Sequence, residues 1–82
     1  MPTAPKEENL MDSRVFDDLV TAFSMDGSRL ESFNRGEHVR NIHRFGTRVI
    51  FEPVSAHRVA ATYAMDWSEF ERKTTIVRQA HV

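Results

Sequence analysis

The sequence predicts a small α+β domain, an antiparallel meander of three to four strands flanked by an N-terminal and a C-terminal helix. Three observations lead there. Residues 57–67 alternate, with His57, Val59, Ala61, Tyr63, Met65 and Trp67 on one face and Arg58, Ala60, Thr62, Ala64 and Asp66 on the other. Residues 13–23 carry apolar side chains at helical spacing. The chain also holds three leucines against eight valines and six phenylalanines, a bias toward sheet rather than a helical bundle.

The 82 residues make one domain. Residues 1–12 contain two prolines, three acids and a lysine, with Leu10 and Met11 as large apolar side chains, so they are expected to form a flexible arm ahead of a domain spanning 13–82. A domain of about 70 residues builds a core worth only a few kcal/mol, and no cysteine is present to staple it. Self-association would strengthen it.

The first helix is expected to start at Ser13 as its cap. Val15, Phe16, Leu19, Val20 and Phe23 then follow helical spacing, Asp17 and Asp18 point away, and Arg14 reaches Asp18 four residues on. Met25-Asp26-Gly27-Ser28 supplies turn chemistry. Residues 28–37 support two readings, a short helix capped by Ser28 and Glu31, or an edge strand over 30–33 paired with 38–45. Gly46 suits the first central position of a two-residue hairpin turn joining strands 38–45 and 48–52, closed by Pro53. In that register Phe45 opposes Arg48, Arg44 opposes Val49, His43 opposes Ile50, Ile42 opposes Phe51 and Asn41 opposes Glu52. Neither face is then cleanly apolar.

The alternating segment 57–67 reads as a half-buried strand, although Ala56, Ala60, Tyr63, Ala64 and Trp67 also fall at helical spacing behind Ser55. Ser68 and Glu71 have capping-box spacing, and Phe70, Thr74 and Val77 would give the C-terminal helix an inward stripe. Against it, Thr74-Thr75-Ile76-Val77 is a β-branched run that favours a strand.

Charge is unevenly spread. Residues 1–34 hold three basic and seven acidic groups, whereas 35–58 hold five arginines and three histidines against Glu37 and Glu52. Arg40, Asn41, His43, Arg44, Arg48 and Arg58 are therefore the candidate contacts for an anion or a nucleic acid, arginine being suited to bidentate phosphate or guanine recognition. The plainer reading makes them solvated strand residues that guard the sheet edge.

No catalytic constellation is visible. His38 and His43, five apart, fall on opposite faces of a strand, and no cysteine is available, so no metal is expected. The chain has no GxSxG elbow, no GxGxxG or P-loop glycines, and no adjacent carboxylates that could share a face. No enzyme activity and no cofactor are expected. No apolar run is long enough to cross a membrane, and the start lacks a secretory pattern, which together lead to the expectation of a cytoplasmic protein.

Read as helices, residues 28–35 and 37–45 with a following hairpin resemble a winged helix-turn-helix over about 28–65. Ser32, Gly36, Ile42 and Phe45 match its small, glycine and apolar positions, while Glu31, Arg35 and Glu37 stand where it is usually apolar. The order helix, three strands, helix is similar to that of double-stranded-RNA-binding domains, but Glu69-Phe70-Glu71 replaces their lysine-rich second-helix start. Such topologies carry no activity by themselves.

The function expected is that of a noncatalytic accessory, regulatory or inhibitory protein working through protein contacts, as a homodimer or with a protein partner. Tyr63, Met65 and Trp67 are the candidate contact residues, because a half-apolar sheet on a small core needs a cover. The alternative is a nucleic-acid-binding regulator using residues 35–58.

Overall fold

The computed structural model describes residues 7–10, 12–26 and 29–77. Among them the chain is nearly all antiparallel sheet. It forms β1 (Glu7–Leu10), β2 (Ser13–Phe16), β3 (Val20–Ser24), β4 (Leu30–Phe33), β5 (His38–Phe45), β6 (Arg48–Pro53), β7 (Tyr63–Asp66), α1 (Trp67–Arg72) and β8 (Thr74–Val77). Seven strands run across one curved sheet in the order β4-β3-β7-β6-β5-β2-β8, and β1 pairs with β5 beside β2. The sheet wraps into a half-barrel around Phe16, Phe33, Phe51, Tyr63 and Phe70, each no more than 1% exposed.

This overturns the expected α+β fold with flanking helices, and the winged helix-turn-helix alternative with it. The segment expected as the first helix is two strands. Val15, Phe16, Leu19, Val20 and Phe23 do recur at helical spacing, but Asp17-Asp18-Leu19 forms a bend that resets the alternation. Arg14 and Phe16 turn inward before it, and Val20, Ala22 and Ser24 after it. The end of β2 is pinned from both sides, since Phe16 N donates to Glu37 O at 2.9 Å, Gly36 N to Phe16 O at 2.8 Å and Asp17 N to Lys73 O at 2.8 Å. Such a junction satisfies the backbone better than a lone two-turn helix would.

Residues 30–33 are an edge strand, as one of the two readings had it, but β3 is the neighbour rather than β5. Gly36, at φ +94, turns the chain back into β5. The strand expected over 57–67 begins only at Tyr63. Residues 54–62 are irregular, with Val59 82% exposed and Ala60 buried, the reverse of the alternation. At the C-terminal side a helix does form, but it is only six residues long. Asp66 caps it, accepting from Glu69 N at 3.1 Å and from the Ser68 hydroxyl, two residues earlier than Ser68 and Glu71 suggested. Lys73 ends it, and the β-branched run becomes β8 on β2. Of the arm expected over 1–12, Glu7–Leu10 forms β1, while residues 1–6 and 11 lie outside the described residues.

The β5–β6 hairpin turns at Gly46, φ +59, and Phe45, Arg44 and His43 oppose Arg48, Val49 and Ile50 in the expected register. Beyond that the register shifts by one, because Asn41 adopts φ +50 in a bulge, and Arg40 and Val39 oppose Glu52 and Pro53. The shift resolves the mixed faces. With one extra residue in the strand, Val39 and Ile42, three apart, both lie fully buried, and Arg44 follows them on the inner side.

Candidate interaction surface

The inner face is closed by the chain itself. Ring contacts run in a column from Tyr63 and Phe33 (centroids 4.9 Å apart) through Phe16 and Phe51 to Phe70, and from Phe70 to Trp67 at 6.0 Å. Tyr63, Met65 and Trp67, the candidate contact residues, belong to this core with exposures of 0, 6 and 9%. Tyr63 and Met65 project inward from β7, and Trp67 opens α1. The cover they need comes from the curl of the sheet and from α1, so their burial gives no separate reason for a second chain.

The basic candidates are dispersed rather than gathered. Arg58 turns into a clasp. Its Nη2 donates to both carboxylate oxygens of Glu37 at 2.9 and 2.7 Å and to Ser32 O at 2.6 Å, its Nη1 lies 3.5 Å from Glu31 Oε1, and its Cζ sits 3.8 Å from the Phe33 ring centroid. Glu31 also accepts from the Tyr63 hydroxyl at 2.9 Å. Burial alone would raise the Glu37 carboxyl, but the Arg58 and Asn34 donors outweigh it and hold its pKa below the ordinary value. Burial, and then the bond to Glu31, keep the Tyr63 phenol protonated above its usual range.

Asn41 Nδ2 donates to Glu52 at 2.9 Å, and Arg40 lies 4.0 Å from the same carboxylate on the outer side. Arg48 opposes Asp66 on β7. Asp66 is held below the usual carboxylate range first by the Ser68 hydroxyl and then by the Glu69 amide. Arg44 goes inward, its Cζ 4.7 Å from the Trp67 centroid and its Nε donating to Gly46 O at 2.9 Å. His43, half-buried, opposes Ile50 on the outer face. These residues do not form one continuous basic face.

The structure leaves a different surface open. On the outer side of β3 and β4, Phe23 and Leu30 oppose each other directly and are 41 and 70% exposed. Ala64 of β7 lies beside Phe23 and forms the floor of a groove of about 410 Å³, which Thr21, Arg48, Asp66 and Glu69 complete. β4 is also an edge of the sheet, and the Arg58 bond to Ser32 O occupies part of its outward backbone. Phe23 and Leu30 escaped the sequence reading because the helical assignment turned Phe23 inward. A strand reading of 20–24 with Val20 and Ala22 inside places Phe23 outside at once.

Among the described residues no group of three or more His, Asp or Glu could hold a metal, and no helix is long and apolar enough to cross a membrane. No protein family, curated protein or solved structure matches this chain.

Proposed function

We propose that the protein is a noncatalytic accessory or regulatory module that acts through protein contacts, and that it pairs with a second copy of itself across the outer face of β3, β4 and β7. The observation that carries this reading is the exposed cross-strand pair Phe23–Leu30 over Ala64. Each square ångström of such apolar surface removed from water is worth about 25 cal/mol, and a directly opposed pair on one face is a compact place to gain it. The rim favours a copy of the same chain. It carries both signs together, Arg48 directly opposite Asp66 with Glu69 also lining the groove, so a two-fold arrangement can set the cation of each protomer against acids of its partner.

Light scattering over a wide concentration range tests the reading. A dimer is expected that Phe23→Asp and Leu30→Asp, both at exposed positions, convert to folded monomer. A wild-type protein that stays monomeric at the highest soluble concentration overturns it. Oligonucleotide binding at low salt, weakened by Arg40→Ala and Arg48→Ala, would favour the nucleic-acid alternative instead.

A further inference from the structure

Arg14 occupies a core position, and among the described residues nothing neutralises it. It sits on β2 between Val39 of β5 and Ile76 of β8, on the same inward face as Phe16, and is 9% exposed. Its Nη1 donates to Thr74 Oγ1 at 3.2 Å, and its Cζ lies 5.4 Å from the Trp67 centroid and 5.5 Å from that of Phe70. Its Nε is buried and has no hydrogen-bond partner. Thr74 Oγ1 accepts from Arg14 while its own proton goes to Phe70 O at 2.5 Å, and a neutral hydroxyl brings no charge. Among the described residues no carboxylate bonds Arg14.

This arrangement is costly without an anion. Removing a cation from water costs several kcal/mol even after relaxation, and a contact with a ring face returns only about 1–2 kcal/mol. We propose that Arg14 is the central donor of an oxyanion-binding site at this end of the half-barrel, taking a phosphate or carboxylate group beside Trp67. The planar guanidinium supplies parallel N–H donors of the kind that such groups accept in bidentate fashion. Trp67 and Arg14 each keep 9% exposure, and that opening is where the anion would enter. The elements converge on this spot for local reasons. The turn at Gly46 sets Arg44 opposite Val49 on the inner face, Trp67 N donates to Thr47 O at 2.8 Å and so docks the start of α1 on the hairpin turn, and β8 brings Thr74 beside β2. The site lies apart from the Phe23–Leu30 face and does not depend on the pairing proposed there.

Trp67 is the sole tryptophan, so its emission reports on this site alone. Inorganic phosphate and acetate, each titrated against chloride at equal ionic strength, are the probes. They separate a tetrahedral from a planar preference. A saturable change in Trp67 emission and a rise in Tm with at least one of them are expected, with affinity reduced about tenfold or more in Arg14→Met. Should Arg14→Met not fold, Arg14→Lys carries the comparison, because it keeps the charge and loses the fork, and an affinity loss of about tenfold is expected again. Emission and Tm that match chloride for both probes overturn the proposal, and so does unchanged affinity in whichever of the two variants folds.

Discussion

Two arginines lie against the two ends of one aromatic column, and they are treated in opposite ways. Arg58, over Phe33, is held by two carboxylates and a backbone carbonyl. Arg14, over Trp67 and Phe70, has one neutral hydroxyl. The first satisfies its donors within the fold and ties loop 54–62 to β4 and to the turn before β5. The second leaves a donor buried and unmet. A protein this small has little stability to spare, so a guanidinium that closes a loop and one that leaves the core unneutralised belong to different purposes. Arg58 is a fastener. Arg14 has the character of a receptor.

Substitution at the two positions should separate them widely. Arg58→Met leaves Glu31 and Glu37 without their cation and frees the loop, and the loss expected is about 3 kcal/mol, moderated because both acids keep some contact with water. Denaturant midpoints measure it. Arg14→Met replaces an uncompensated charge by an apolar side chain of similar length, so in chloride buffer it should stay within about 1 kcal/mol of wild type or exceed it. Equal, large losses at both sites would break the comparison.

Acid should act through Glu37 at the Arg58 end and Asp66 at the cap of α1, not through Arg14. The Glu37 carboxyl titrates below its ordinary value in the folded chain, so between the folded and unfolded values the unfolded state binds more protons. The stability this pair contributes is present above the usual value of 4.5 and declines as pH falls through the lower, folded one. Glu37→Gln should flatten that acid limb in pH-dependent melting, whereas Arg14→Met should leave its shape unchanged. At the alkaline side the sign reverses. Tyr63 holds its proton above 10.0, so its contribution fades as pH climbs past that value, and Tyr63→Phe should lessen the alkaline loss.

How much of this was legible in the sequence differs from segment to segment. The hairpin at Gly46 was, because a glycine at positive φ between two β-rich runs is a local signal, and three of its pairs fall where the turn dictates. The β-branched run that became β8 was visible as well. The two strands at 13–24 were not. Their apolar residues mimic a helix because a three-residue bend separates two short period-two stretches, and only the tertiary bonds of Phe16 and Asp17 decide the matter. The sites were hidden for the same reason. Arg14 reads as a surface partner of Asp18 on a helix and as a core cation on a strand. Arg58, placed in the alternating run, gave no sign that Glu31 and Glu37, more than twenty residues away, would close on it.

The smallest effect expected concerns the bulge that assembles the Arg14 end. Asn41 holds φ +50, a region that β-branched side chains reach only with strain and that glycine enters freely. Asn41→Gly relieves the backbone but loses the exposed bond to Glu52, so its stability should change by no more than about 0.5 kcal/mol. Asn41→Val should cost about 1–2 kcal/mol, since the bulge must strain or slip. A slip by one residue beyond the bulge would turn Val39, which pairs with Arg14, out of the core and disturb the Arg14 contact with the indole, while leaving the hydrogen bonds of Arg58 intact. Trp67 emission should therefore shift in Asn41→Val and not in Asn41→Gly, and amide exchange in β4 should stay at the wild-type level in both. Loss of protection in β4 upon Asn41→Val would mean that the two ends of the column are coupled, and that the fastener and the receptor are not independent.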